Sequence, residues 1–281
     1  MKKIFFHIIK ATLNISFKIY PQLGLNIAYY LFTRPLFQIQ RQDEINFLNK
    51  IESSWFEFEG EKIKVYQYGH GSKKILFIHG WGGYAGNFYE LMSAFSSEEF
   101  TIFAFDAPAH HASSGRKTDV FQIIRLSKYL IKNCQPNFII GHSMGSAVAV
   151  SALADMSDIS LNRIVLLSCP NNFEYLVESF GKNFSLDELH LESFKKTVQS
   201  KLKKSFEDSK IETIIKKVNV KKILLIHDKY DRVLPFDNAL QIKNAVNGVL
   251  KFQPIENIGH YKMLKDRQVI QSVKDFILNE N

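Results

Sequence analysis

Short runs that are apolar at every position recur through the body of this chain: Ile75-Leu76-Phe77-Ile78, Ile102-Phe103-Ala104-Phe105, Phe138-Ile139-Ile140, Ile164-Val165-Leu166-Leu167 and Ile223-Leu224-Leu225-Ile226. A strand with one face in water alternates apolar and polar residues. A strand without polar positions is covered on both faces, which predicts a central parallel sheet. Helical patterns lie between the runs, as over 119–133 and 144–156, and strand alternating with helix is the pattern of a doubly wound α/β fold. Two alternating segments precede the set, Phe56-Glu57-Phe58 and Ile63-Lys64-Val65-Tyr66, and read as half-buried antiparallel strands turning at Glu59-Gly60-Glu61. Val249 to Ile255 reads as a last strand. The 281 residues suffice for one such domain, placed over 55–281.

Two stretches fall outside this rhythm. Between Pro170 and Val220 no strand pattern occurs. Instead Leu176, Val177, Phe180, Leu186, Leu189, Phe194, Val198, Leu202 and Phe206 predict two or three helices over 171–219. An insertion at the carboxyl ends of the strands sits over the ligand crevice of an open α/β sheet, so this interval is expected to be a helical cap. Residues 1–40 form a second unit. Polar Lys3, His7, Lys10, Asn14 and Lys18 recur three or four apart, with Ile4, Phe5, Ile8, Ile9, Leu13 and Phe17 on the other side. Pro21 interrupts, and a second apolar stretch runs from Leu23 to Phe32. Lys10 and Lys18 break the apolar stretch and no small-residue cleavage site closes it, so a signal peptide is not expected. Nor is a transmembrane helix, because no run approaches the roughly 18 apolar residues it needs. A basic amphipathic pattern of this kind either packs on the body of the protein or lies in a membrane interface through residues 1–33. The second alternative favours lipid-like substrates.

The net charge of +8 comes largely from scattered or paired lysines, such as Lys73-Lys74, Lys195-Lys196 and Lys203-Lys204. No nucleic-acid-binding motif accompanies them, so a solvated basic surface is expected and nucleic acid is not expected as a partner. Cys134 and Cys169 make neither a disulfide framework nor metal-ligand spacing. Reduced, buried thiols fit a cytoplasmic location.

The chemistry is carried by Gly141-His142-Ser143-Met144-Gly145, between the run ending at Ile140 and the small-residue helix that starts after Ser143. This is G-x-S-x-G in a strand–turn–helix setting. A turn this sharp brings the positions two before and two after the serine against neighbouring backbone, hence the glycines. The helix N-terminus favours negative charge developing beside the serine hydroxyl. His79-Gly80-Trp81-Gly82-Gly83 ends an earlier buried strand. Acyl transfer needs two donors aimed at an oxyanion, and the backbone N–H groups of Trp81 and Met144 are the natural pair. His79 is expected to hold its loop. Past the Ile226 strand, Asp231 and Asp228 compete to orient a histidine, with Asp231, next to the Val233-Leu234-Pro235 step, preferred. Ile258-Gly259-His260-Tyr261 follows the last strand and supplies that histidine.

In the order Ser143, Asp231, His260, these motifs resemble the α/β-hydrolase superfamily from about Trp55 to the C-terminus. The resemblance implies an α/β-hydrolase fold: a mostly parallel eight-stranded sheet with helices on both faces and a cap after the sixth strand. It implies acyl-enzyme chemistry with Ser143 as nucleophile, His260 as base and Asp231 as its partner, and no cofactor. Phe105-Asp106-Ala107-Pro108-Ala109-His110-His111-Ala112-Ser113-Ser114-Gly115 is similar to the family's D-x-x-G-H-G-x-S loop, with Ala109 and His111 where glycine is usual. A positive φ at residue 111 then adds strain. No carboxylate or cysteine at ligand spacing makes His110 and His111 a metal site, and Asp106 is expected to be structural. A small-molecule carboxylic ester or thioester is the expected substrate. Amidase, peptidase and acyltransferase chemistry use the same triad, and a non-catalytic, membrane-peripheral binding protein is the reading from another class.

Overall fold

A computed structural model describes the backbone of residues 2–36, 38–246 and 248–279, and within those ranges the side chains from residue 6 onward. The chain opens with helices α1 (Lys2–Ile19), α2 (Pro21–Phe32) and α3 (Gln42–Leu48), followed by the hairpin β1 (Glu52–Phe58) and β2 (Glu61–Tyr68). The expected turn forms with Glu59 and Gly60 both at positive φ, 49° and 80°. Next come β3 (Lys73–Ile78), α4 (Tyr89–Ser93), β4 (Phe100–Phe105), α5 (Val120–Cys134), β5 (Phe138–His142), α6 (Met144–Ala154) and β6 (Leu161–Leu167). The expected cap interval holds α7 (Glu174–Phe184), α8 (Glu188–Leu202) and the single turn α9 (Ile211–Ile214). The chain closes with β7 (Val220–Asp228), α10 (Asp237–Ala245), β8 (Leu250–Ile255) and α11 (Arg267–Leu278).

The strands form one eight-stranded sheet in the order β1-β2-β4-β3-β5-β6-β7-β8. β1 and β2 are antiparallel and β3 to β8 are parallel. The unbroken apolar runs have the cause inferred from sequence. Leu76, Ile78, Ile139, Ile164, Leu166 and Leu225 face a core completed by α5, α6 and α10. Their alternates Ile75, Phe77, Ile140, Val165, Leu167 and Leu224 face a second core with α4 and α11. α6 lies inside the first core and is buried along most of its length, which its lack of a polar face requires. The chain leaves β3 for β4 on one side and returns to β5 on the other, so the crevice at the carboxyl ends of β3 and β5 is a topological switch point.

A third core joins the N-terminal helices to the cap. Leu13 and Phe17 of α1, with Ala28 and Leu31 of α2, pack on Val177, Phe184, Phe194 and Val198 of α7 and α8. Asn14 donates to the Phe184 carbonyl at 2.9 Å. The seam is narrower than the apolar pattern suggested: Ile8 is exposed, as are Ile15, Ile19, Tyr20 and Leu23. Leu189, expected among the packed cap residues, also faces solvent. Ile4 and Phe5, expected on the same face as Ile8, lie outside the described side chains. Cys134 is half-buried and Cys169 buried, and both are free thiols. The short α3 was not anticipated. Its Glu44 is buried because the Tyr84 hydroxyl at 2.6 Å and the Lys265 ammonium at 3.0 Å both reach it. Among the described residues no helix is long and apolar enough to cross a membrane.

Candidate active site

Ser143 sits between β5 and α6 with φ 54° and ψ −126°, a conformation that costs of order 1–3 kcal/mol and persists only where the surroundings enforce it. The enforcement is steric. A Cβ on Gly145 would lie 2.0 Å from the Ile78 carbonyl oxygen, and one on Gly141 2.6 Å from the Ser146 Cα. The turn is therefore pressed directly onto the end of β3. Met144 is the first residue of α6, so its N–H has no acceptor within the helix. The β3 loop closes on the same spot: a Cβ on Gly80 would meet the Ser143 Cβ at 3.1 Å.

That loop is held by two buried histidines with assignable tautomers. His79 Nε2 accepts the Ala107 N–H at 3.0 Å, so its Nδ1–H donates to the Gly80 carbonyl at 2.8 Å. His110 Nε2 accepts the Gly82 N–H at 3.1 Å, and its Nδ1–H donates to the Pro108 carbonyl at 2.9 Å. Burial, helped by neighbouring His79, pushes His110 down to about 3, which keeps it neutral and able to accept. His79 thus holds the loop as expected, and His110 shares the task. Asp106, also buried, accepts from the Ala85 and Ala112 amides, the Tyr66 hydroxyl and His111 Nδ1. Ala109 and His111 both adopt positive φ, 63° and 40°, so the strain expected from replacing glycine is present. His111 is compensated by its bond to Asp106 at 2.9 Å and by stacking on Tyr84 at 4.4 Å between ring centroids. Among the described residues no His, Cys, Asp and Glu side chains group to hold a metal.

At the ends of β7 and β8 the two competing aspartates take different tasks. The Asp231 carboxylate meets His260 Nδ1 at 2.7 Å. Burial opposes its charge, but the His260 hydrogen bond and charge and the Leu234 and Val233 amides outweigh burial and hold the carboxyl down to about 2. Asp228 instead accepts the backbone N–H groups of Tyr230, Ile258 and Gly259 at 2.7, 2.6 and 2.6 Å, clamping the loop that carries His260. His142, beside Ser143, donates from Nε2 to the His260 carbonyl at 2.9 Å, and the two imidazoles are 4.9 Å apart. Burial, and then the charge of His260, push His142 down to about 3. Ser143, Asp231 and His260, remote in sequence, thus share one end of the sheet with the Trp81 and Met144 backbone.

Two site residues had no signal in the sequence reading. Ser168 follows β6 at φ 45° and donates from Oγ to Asp231 Oδ2 at 3.0 Å. Its position just past a parallel strand was the available clue. Tyr175, in the first turn of α7, is a neighbour of Ser143 and of the Met144 backbone, and both act on its phenol. Burial pushes this phenol up, while those two neighbours pull against the shift.

A family model described as the alpha/beta hydrolase fold matches residues 73–189. A Mycoplasma genitalium protein named "Putative esterase/lipase 2" is 23% identical over 244 residues, 75% of this chain and 88% of its own length. The structure of an esterase from Exiguobacterium antarcticum superposes with a TM-score of 0.63 at 18% identity, covering 81% of this chain and 100% of the other. A bacterial membrane phospholipase A superposes at 0.61 and 17% identity, covering 99% of this chain and 98% of its own.

Proposed function

Because the chain belongs to the α/β-hydrolase superfamily, we propose that it is a serine hydrolase that cleaves a carboxylic ester or thioester through an acyl-enzyme intermediate. The observation that carries this reading is the 2.7 Å contact between Asp231 and His260 Nδ1 at the sheet end where Ser143 stands on its strained turn. With Nδ1 engaged, His260 presents Nε2 as the proton acceptor. Nε2 takes the Ser143 proton as Oγ bonds to the acyl carbon. The carbonyl π pair moves to oxygen, where the Trp81 and Met144 amides hold the charge. The intermediate collapses, the bond to the alcohol or thiol breaks, and the imidazolium protonates that leaving group. Water then gives a proton to His260 and its oxygen to the acyl carbon; the bond to Ser143 Oγ breaks, the imidazolium returns the proton to Oγ, and the acid is released.

A lipid-like ester is the substrate favoured by the surface. The exposed Ile8, Ile15, Ile19, Tyr20 and Leu23 lie on a segment whose charged residues before Asp43 are all basic. Such a face suits the interface of an anionic membrane. The decisive experiment is labelling with a short-chain fluorophosphonate together with hydrolysis of nitrophenyl esters. Both are expected in the wild type and lost in Ser143→Ala, with turnover down by several orders of magnitude. A folded wild type that neither labels nor hydrolyses fits a non-catalytic hydrolase scaffold and overturns the proposal. Retained activity in Ser143→Ala overturns the assignment of the nucleophile.

A further inference from the structure

A small, partly open apolar pocket includes Trp81 of the loop after β3 in its wall, with Phe32, Phe121, Phe173, Val198 and Phe206 among others. These residues come from three separate parts of the fold: the N-terminal α2, the loop and helix of the sheet domain, and the cap. On the reading of the protein as a serine ester hydrolase, we infer that this cavity receives the acyl chain of the substrate and that Phe32, contributed by the N-terminal helix pair, sets the chain length accepted.

The chemistry of the lining selects the ligand. Its only charged residue is Asp119, whose carboxylate is engaged by the Phe121 and Gln122 N–H groups as the cap of α5, at 2.8 and 2.9 Å. A cavity otherwise bounded by aromatic and aliphatic side chains offers a guest burial of hydrocarbon and nothing for a charge. Trp81 ties the cavity to the reaction centre. Its backbone N–H is one of the proposed oxyanion pair, while the residue lines the cavity and its ring stacks on that of Phe32. An acyl group whose carbonyl sits at that amide has the cavity beside its alkyl end.

Phe32 occupies the pivotal place. Its ring stacks on Trp81 at 6.3 Å and 16° and meets the rings of Phe194 and Phe180 edge-on at 5.5 and 5.8 Å. It therefore separates the oxyanion loop from the two cap helices. The space left is about 20 Å³, room for about one water. A hydrocarbon chain enters only as these walls give way, and the bulk at position 32 limits how far it reaches.

The test uses the full-length protein, Phe32→Ala and Phe32→Leu, each with nitrophenyl esters and alkyl fluorophosphonates of graded chain length. Phe32→Ala is expected to move the kcat/KM optimum to longer chains, gaining roughly threefold to fourfold per added methylene over the newly opened range. Phe32→Leu moves it less, and each variant is read as the ratio of long-chain to short-chain kcat/KM, so that a general change in reactivity cancels. Because Leu keeps most of the packing, it preserves the test if Phe32→Ala does not fold. Normal labelling by the short probe with an unshifted chain-length profile overturns this inference and leaves the hydrolase reading standing. A wild type that no fluorophosphonate labels overturns both.

Discussion

The side-chain carbonyl of Gln38 accepts the backbone N–H of His111 at 2.6 Å, while its side-chain N–H donates to the Ala109 carbonyl at 3.1 Å. One residue from the N-terminal extension thus holds both left-handed positions of the loop after β4. Gln38→Ala removes two hydrogen bonds from a strained segment. It is expected to lower the free energy of unfolding by about 1–3 kcal/mol in urea titrations. An unchanged midpoint and slope would mean that Asp106 and Tyr84 hold the loop alone.

The division of labour between the two aspartates gives a paired prediction. Asp231→Asn keeps the loop geometry but presents the wrong hydrogen-bonding partner to His260 Nδ1. Its kcat is expected to fall by about 10⁴ with little change in stability. Asp228→Asn places an N–H donor group among the Tyr230, Ile258 and Gly259 amides, so stability should drop by about 2 kcal/mol or more. Kinetics and urea unfolding of both variants separate the roles. A stable, inactive Asp228→Asn beside an active Asp231→Asn would reverse them.

The neutral histidines impose a pH dependence on stability. His110 and His142 are held down to about 3 when folded, against an ordinary value of 6.5. Above about 6.5 both states leave these imidazoles neutral and the effect is absent. As pH falls from there toward 3 the unfolded chain binds protons that the folded chain cannot, so stability declines by ~1.4 kcal/mol per pH unit for each histidine. Urea unfolding across this range should show the slope, shallower by about that amount in His110→Gln. Equal slopes in the two proteins would show that His110 is not kept neutral.

Tyr175 sets a fourth expectation. Its phenol interacts with Ser143 and with the Met144 backbone, the amide that the proposed mechanism gives to the acyl oxygen, so the phenol and an acyl group compete for the same neighbours. Tyr175→Phe removes a contact worth about one hydrogen bond, which should speed fluorophosphonate labelling of Ser143 roughly two- to tenfold. Slower labelling would mean that the phenol assists the reaction instead of obstructing it.

The strands of the sheet were legible because burial on both faces leaves no polar positions, a pattern that neither loops nor amphipathic helices reproduce. The turn at Ser143 was legible because glycine is forced where a Cβ would strike the Ile78 carbonyl. The preference for Asp231 over Asp228 rested in the sequence on its place just before the Val233-Leu234-Pro235 step, since three residues of spacing do not by themselves tell which carboxylate faces an imidazole and which faces backbone. Tyr175 left no trace because an isolated hydroxyl has no periodicity, and Ser168 left only its place just past a parallel strand. The fate of the N-terminal helices was hidden for another reason. Their apolar stripe identifies a face to be covered but not its partner, and that partner, the cap, lies far along the chain.

The same arrangement has a consequence for biosynthesis. Asn14 is bonded to a residue 170 positions downstream, and Leu13 and Phe17 pack on Val177 and Phe184. At ~5–20 residues per second of elongation, the opening helices wait on the order of ten to thirty seconds before their binding surface has been translated. During that interval the apolar face of this basic helix pair lacks the residues that cover it in the folded protein.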